Sequence, residues 1–280
     1  MGHLNWGTSI PASEVYFAAG IPQISPSVTF PNYTRQGFGT TFRVIADDSQ
    51  LGTALGKYVV NSLKAKSIHI VDDRTAHGQD IGDAFRAGAE AAGGRIVGRE
   101  FTSDHATEFT EIVSAIKATN PDIVFFGGMD TVAGPLIRRM RQQSIRASVV
   151  GGDGMCTSEL PKLVGGGLSS GEVICAEAGG VADIRAKAMD DFRSVFKRKF
   201  GSDVLVFAPY VYDAVNVMVA AMVTAGSADP KKYLPALAKT QGYEGVTDII
   251  SFDEKGDLKN GAVTVYTYKA GRREPLAVIK

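Results

Sequence analysis

The sequence has no excess of either charge, because 30 lysine and arginine residues balance 30 aspartate and glutamate residues. This balance argues against nucleic acid and against an anionic membrane surface as partners, since both attract basic proteins. No stretch approaches the roughly 18 consecutive apolar residues of a membrane span, and no signal peptide is recognisable at the start. We therefore expect a soluble chain without a targeting sequence, and a neutral or zwitterionic small molecule as its ligand.

Cysteine and histidine are also scarce. The two cysteines, Cys156 and Cys175, cannot supply the paired CxxC motifs of a structural zinc site. They form either one disulfide or two buried thiols, and spacing does not decide between these. The four histidines are dispersed, and His69, which alternates with isoleucines in a strand-like run, is expected to pack in the core. The sequence predicts no metal site.

Motifs of cofactor-dependent and hydrolytic enzymes are missing as well. No GxGxxG follows a predicted strand and no GxxxxGK[ST] occurs, so neither a dinucleotide nor a P-loop site is indicated. The stretch GLSSG (167–171) matches GxSxG, but a nucleophile elbow needs a strand before it and a helix after it. Here a short predicted helix precedes and a strand follows, so we interpret GLSSG as a glycine loop. We expect no catalytic residue and no cofactor.

Short β-branched runs alternate with amphipathic stretches from Lys66 onward. The runs are nearly continuous in apolar residues, which is typical of strands covered on both faces. Strict alternation of strand and helix predicts an α/β fold with a parallel sheet and helices on its faces. Three helices are predicted at 184–201, 209–225 and 230–239, and the last 36 residues predict three short antiparallel strands. The predicted parallel strands are SIHIVDD, RIVGREF, PDIVFFGG, SVVGGDG and EVICAEA.

Candidate binding residues follow the carboxyl ends of these strands, where open α/β sheets bind their ligands. Asp153 lies between two glycines and is either a turn or capping aspartate or a ligand carboxylate. Asp73 and Arg74 are expected in a solvated loop. The loops LNWGTS and SPSVTFP offer hydroxyls and N–H groups that suit a carboxylate, ordinary turn chemistry being the alternative. A carboxylate site there and an acidic residue at Asp153 would together suit a zwitterion.

Eight stretches spread over essentially the whole chain carry a family resemblance: GHLNxGTSIPASEVY (x being Trp6), GIPQISPSVT, HGQDIGDAF, FFGG, GGDG, CAEAGG, YVYDAV and FDEKGDLKNG. Together they resemble the periplasmic substrate-binding proteins of branched-chain amino-acid ABC transporters. The resemblance implies the type I periplasmic binding fold, with two Rossmann-like lobes of parallel sheet flanked by helices and a three-segment hinge. Family members carry a signal peptide and two strand–helix units before the stretch where this chain begins, so the first lobe is expected to be incomplete.

The resemblance also implies a ligand site. The ligand carboxylate would be bound by Ser27, Thr29 and the position of Trp6, which is usually a serine. A buried indole at that position would stack or fill volume but offers no hydroxyl. The ligand ammonium would be held by Asp153. Positions that are often tyrosine in amino-acid binders are occupied here by His77, Met129 and Phe207.

By the same resemblance, residues 1–47 and 177–251 form the first lobe and residues 48–176 and 252–280 the second. Ligand binding would close the cleft between them by a hinge motion, and a membrane permease would recognise the closed form. The expected location is the periplasm. Three alternatives stay open: a ligand-sensing receptor or regulatory domain of the same fold, an α/β enzyme using Asp153 and His77, and a non-binding form that dimerises through an exposed sheet edge.

Overall fold

The structure, a computed structural model, describes residues 1–181 and 183–280. The chain divides into two compact units. Unit 1 comprises Met1–Asp47, Ala178–Ala262 and Lys280, and unit 2 comprises Asp48–Glu177 and Val263–Ile279. Residues 252–262, expected in the second lobe, thus lie in unit 1, because Phe252 and Leu258 are buried in its apolar core.

The described residues form nine α-helices and eleven strands. The helices are α1 (Trp6–Ala18), α2 (Asp48–Asn61), α3 (Ala76–Ala91), α4 (Thr110–Thr119), α5 (Asp130–Gln142), α6 (Leu160–Val164), α7 (Ala186–Phe200), α8 (Ala208–Ala225) and α9 (Pro230–Ala238). The strands are β1 (Gln23–Ser25), β2 (Thr41–Arg43), β3 (Ser67–Asp72), β4 (Arg95–Phe101), β5 (Ile123–Gly127), β6 (Ser148–Gly151), β7 (Val173–Ala178), β8 (Tyr243–Glu244), β9 (Ile249–Ile250), β10 (Val263–Lys269) and β11 (Arg272–Ile279).

Unit 2 is built on a seven-stranded sheet with the strand order β11-β10-β7-β6-β5-β3-β4. Strands β3 to β7 pair in parallel, as the alternating sequence pattern predicts. The inner strands are almost fully buried because helices cover both faces. His69 in β3 is 1% exposed, with Nδ1 2.9 Å from the Thr119 hydroxyl, so its predicted place in the core is confirmed. GLSSG lies between α6 and β7, which confirms a loop rather than a nucleophile elbow.

A disulfide joins Cys156 to Cys175 in unit 2, which resolves the question that spacing left open. Cys156 follows the turn after β6, and Cys175 lies in β7, the neighbouring strand. Both residues are almost fully buried, and they belong to the apolar core that helices α4 and α5 cover. The bond therefore closes a loop around α6 and the glycine-rich segment that precedes β7.

Unit 1 holds a short parallel pair, β1 and β2, packed with α8 and α9. The structure departs from the prediction in two places. The three strands predicted at the end of the chain do not form one ladder: β9 pairs with β8, and only β10 and β11 form an antiparallel hairpin. The predicted loop LNWGTS is mostly helical, since α1 begins at Trp6.

Helix α8 has an uncovered apolar face. Among the described residues it is the one helix long and apolar enough to cross a membrane by length and composition, a test that core helices also pass. Four valines spaced four residues apart occupy one face and are 38% to 75% exposed: Val211, Val215, Val219 and Val223. Its opposite face packs in the core of unit 1, where Asp213 accepts hydrogen bonds from Val246 N–H, Thr247 N–H and the Thr247 hydroxyl.

Candidate functional site

The loops after β3, β5 and β6 lie at the carboxyl-end edge of the sheet in unit 2, the edge where ligands of open α/β sheets bind. The N–H of Asp73, just past β3, donates to the carbonyl of Gly127 at the end of β5 (3.0 Å). Thr75 caps α3, and its hydroxyl accepts from the N–H of Gly78. A Cβ at Gly78 would lie 2.2 Å from Oδ1 of Asp73, so only glycine lets α3 begin this close to the strand ends.

The imidazole of His77, in the first turn of α3, stands between two carboxylates. Its Nδ1 is 3.4 Å from Oδ2 of Asp48, and its Nε2 is 3.6 Å from Oδ1 of Asp153. Asp48, the first residue of α2, has a side chain that is only 3% exposed, whereas the side chain of Asp153 is 34% exposed. Oδ1 of Asp153 also accepts from the N–H of Gly154 (3.0 Å). The turn role expected for Asp153 is therefore present, and part of its side chain is exposed.

His77 and Asp153 shift each other's pKa. The contact with Asp48 is the largest cause that raises the pKa of His77 to about 9; the negative charges of Asp153 and Asp73 act in the same direction, and burial opposes them. Burial, reinforced by the charge of Asp48, raises the pKa of Asp153 to about 6, while His77 and the Gly154 N–H lower it. His77 is thus an imidazolium at neutral pH.

Replacing Asp48 by asparagine is expected to lower the pKa of His77 from about 9, because it removes the largest cause of the shift. An NMR titration of the imidazole protons measures this pKa, with His77→Gln identifying the resonance. The raised pKa also sets a sign for stability: the contribution of His77 is fully present below pH 6.5 and is lost as the pH rises through about 9. A titration of His77 that is identical in the wild type and in Asp48→Asn would contradict this arrangement.

Asp73 is 2% exposed, so the solvated loop expected for it is wrong. Its Oδ1 accepts from the N–H and hydroxyl of Thr75 (3.0 and 2.6 Å). Two carboxylate oxygens are buried and have no hydrogen-bond partner among the described residues: Oδ2 of Asp73 and Oδ1 of Asp48. Buried carboxylate oxygens without a hydrogen-bond partner are unusual in a folded protein.

Met129 lies beside this cluster. It precedes α5 as its N-cap, and its side chain is about half exposed. A Cβ at Gly154 would lie 3.1 Å from the Met129 sulfur, which places the sulfur next to the Asp153 turn. The structure therefore brings together three of the residues expected at the site: His77, Met129 and Asp153.

In unit 1, Ser27 and Thr29 lie in the loop after β1, and both are half-buried. The hydroxyl of Ser25 accepts from the N–H groups of Ser27 and Val28, so this loop begins with a serine-centred turn. The hydroxyl of Ser27 donates to the carbonyl of Leu4 (2.8 Å). The loop thus keeps its hydroxyl-bearing residues on the surface of unit 1, with the Ser27 proton directed to the backbone.

A fully buried arginine holds that loop in place. The guanidinium of Arg43, in β2, donates to the carbonyls of Val28, Phe30 and Pro31. It also donates to the Thr34 hydroxyl and, at 2.6 Å, to the carboxylate of Asp257. All five donor positions of a guanidinium lie on three nitrogens in one plane, and this network uses each nitrogen.

Trp6 and Phe207, two of the expected ligand residues, lie in unit 1. Trp6 is 61% exposed rather than buried, and its ring centroid is 5.6 Å from that of Phe30, so it packs beside the same loop. Phe207 precedes α8 and packs against the apolar core of unit 1, which gives it a structural contact there. Trp6 is the first residue of α1, and its indole is exposed in unit 1.

Comparison with known proteins places the chain in a family. A family model described as "Periplasmic binding protein" matches residues 4–273. The Leu/Ile/Val-binding protein homolog 1 of Brucella abortus is 32% identical over 271 residues, which are 97% of this chain and 72% of that protein. An amino acid binding protein of Pseudomonas aeruginosa is 34% identical over 270 residues, 96% of this chain and 71% of that protein.

Solved structures agree with these relatives. A leucine-binding protein from Thermotoga maritima superposes with a TM-score of 0.77 at 25% identity, covering 99% of this chain and 78% of that one. A branched-chain amino-acid substrate-binding protein from Streptococcus pneumoniae, solved with isoleucine, superposes with a TM-score of 0.73 at 25% identity, covering 100% and 78%. The parallel sheets, the strand-end site and the family match lead to one conclusion: the chain belongs to the periplasmic binding protein family, with the type I fold.

Proposed function

We propose that this protein is the solute-binding component of an ABC importer and that it binds an amino acid or a related small carboxylate. The observation that carries the proposal is the partly exposed carboxylate of Asp153, placed at the carboxyl-end edge of a parallel sheet beside His77 and Met129. Relatives named for leucine, isoleucine and valine binding support the ligand class.

The cluster in unit 2 is suited to a positive group. Three carboxylates, those of Asp48, Asp73 and Asp153, surround a single imidazole, and the exposed part of Asp153 is the accessible one. An ammonium group donates charge-assisted hydrogen bonds to such a carboxylate. Because Asp153 has its pKa raised to about 6, ammonium binding favours its ionised form, and affinity is expected to weaken as the pH falls below about 6.

For the ligand carboxylate we propose the loop of unit 1 that carries Ser27 and Thr29. The buried guanidinium of Arg43 fixes the backbone of this loop. A ligand carboxylate that replaces the Leu4 carbonyl as the acceptor of the Ser27 hydroxyl proton would lie beside the Thr29 hydroxyl. Trp6 lies beside the loop through Phe30 and adds apolar surface in place of a hydroxyl. An aromatic or aliphatic carboxylate therefore fits this half of the proposal.

We further propose that the protein acts without catalysis, in the periplasm, and with a membrane permease as partner. His77 is protonated at neutral pH and both of its nitrogens face carboxylates, so it is not available as a general base. The buried disulfide fits an oxidising compartment. The dimer alternative stays a prediction that the valine face of α8 supports; a monomeric mass at every concentration would exclude it.

The proposal is tested by isothermal titration calorimetry (ITC) with leucine, isoleucine, valine, phenylalanine and benzoate at pH 7.5. We expect one ligand class to bind, and we expect Asp153→Asn to weaken that binding at least tenfold, because an amide cannot pair with an ammonium group as a carboxylate does. Asp104→Asn, at an exposed site with its own neighbouring histidine, is the matched control and should bind as the wild type does. Binding of no ligand by a cooperatively folding chain would refute the proposed function.

A further inference from the structure

The cluster of Asp48, His77 and Asp153 in unit 2 has more anionic groups than its one imidazole neutralises. Among the described residues, no lysine or arginine forms an ion pair with either aspartate, and Asp73 adds a third carboxyl group nearby. Oδ1 of Asp48 is buried and has no hydrogen-bond partner in the part of the chain that the structure describes. A buried carboxylate oxygen without a partner, on a side chain whose other oxygen faces His77, points to a missing cation.

The donor atoms are close to metal-binding spacing. One atom from each residue lies within 4.8 Å of the other two, and the Asp48 oxygen is already 3.4 Å from Nδ1 of His77. A tetrahedral metal with bonds of about 2.0 to 2.2 Å needs ligand separations of roughly 3.3 to 3.6 Å. A metal takes only one ring nitrogen, whereas Asp48 and Asp153 face different nitrogens of His77. The partly exposed side chain of Asp153 would therefore have to leave Nε2 and shift by about 1 Å toward the Asp48 oxygen to bring one donor of each residue to such a site.

We propose that Asp48, His77 and Asp153 form a binding site for a divalent transition-metal cation of the Zn²⁺ type. One imidazole nitrogen and two carboxylate oxygens are a donor set that Zn²⁺ accepts, and they leave one coordination position open. Binding requires neutral imidazole, so His77 releases one proton as the metal–nitrogen bond forms. The sequence pattern did not indicate this site because its three residues come from separate elements, at positions 48, 77 and 153.

The site has a consequence that rests on the proposed function. The metal and a ligand ammonium group would use the same carboxylate of Asp153, so they would exclude each other. By linkage, a bound metal lowers the affinity for an amino acid by the factor by which the amino acid lowers the affinity for the metal. A carboxylate ligand without an ammonium group would instead reach the open coordination position of the metal.

The experiment uses the full chain with its disulfide intact, freed of metal by EDTA and then dialysed. It is titrated with ZnCl₂ by ITC at pH 7.5, with no organic ligand present. We expect one saturable equivalent and a loss of affinity of at least tenfold in His77→Gln and in Asp48→Asn. His105→Gln is the control. His105 is 91% exposed and pairs with Asp104, so the variant removes an imidazole that also lies beside an aspartate. It should bind Zn²⁺ as the wild type does.

A second readout separates loss of the site from loss of the fold. Co²⁺ absorption reports the metal coordination directly, and circular dichroism shows whether each variant remains folded. Absence of saturable binding, or binding that His77→Gln leaves intact and His105→Gln removes, would overturn the proposal. The zinc titration contains no amino acid, so its result does not depend on the proposed function. Failure of the proposed function would show only in the titration with amino acids.

Discussion

Replacing Arg43 with methionine is expected to lower the free energy of unfolding of unit 1 by about 3 to 5 kcal/mol. Methionine approximates the length of the arginine side chain, so the main loss is electrostatic. The carboxylate of Asp257, whose side chain is 6% exposed, would keep the Thr34 hydroxyl as a donor but lose its cation. The carbonyls of Val28, Phe30 and Pro31 would lose their guanidinium donors at the same time.

Urea unfolding followed by tryptophan fluorescence measures this effect, because Trp6 is the one tryptophan in the sequence and belongs to unit 1. Arg193→Met is the matched control. Arg193 pairs with Asp190 on the surface, with side chains 60% and 73% exposed, and such pairs contribute about 1 kcal/mol or less. Equal shifts in the two variants would show that the buried network has no special stabilising role. Arg43→Met should also weaken ligand binding, since the Ser27 loop loses its anchor.

Removing the disulfide by Cys156→Ala together with Cys175→Ala is expected to lower the stability of unit 2 by about 3 kcal/mol. The bond spans a sequence separation of 19 residues. Without it the unfolded chain has more conformational entropy, which favours unfolding. Urea unfolding followed by far-UV circular dichroism measures the loss. Dithiothreitol should destabilise the wild type to a similar degree.

The double variant is also the control for the reductant, because a chain without cysteines should unfold at the same urea concentration with and without dithiothreitol. Trp6 fluorescence provides an internal reference, since it reports unit 1 while the disulfide lies in unit 2. A wild-type transition that dithiothreitol leaves unchanged would contradict a stabilising disulfide.

Much of unit 2 follows from the sequence because its strands are short, apolar and regularly separated by amphipathic helices. The runs around Ile70, Phe125 and Val150 each became a buried parallel strand. The place of Asp153 after one such strand was also predictable, since the strand-end rule needs only the order of the elements.

Other residues escaped prediction because their environment depends on segments far away in the chain. Arg43 and Asp257 pair across 214 residues, so nothing near Arg43 indicates that it is buried. Asp48 is the first residue of a helix, a position that usually faces solvent, and it becomes buried only because α3 packs on α2. Helix α1 buries two serines and exposes Trp6 and Val15, which is the reverse of the usual pattern.

The interruption of unit 2 by unit 1 has a consequence for synthesis on the ribosome. Strand β7 neighbours β10 in the finished sheet, yet β10 begins only after the 85 residues of Ala178–Ala262. At about 5 to 20 residues per second, that segment takes roughly 4 to 17 s to translate. During this interval the nascent sheet has an open edge at β7, a strand rich in apolar residues. Slow codons or a bound chaperone within this window would therefore affect the yield of folded protein more than they would at any later stage of translation.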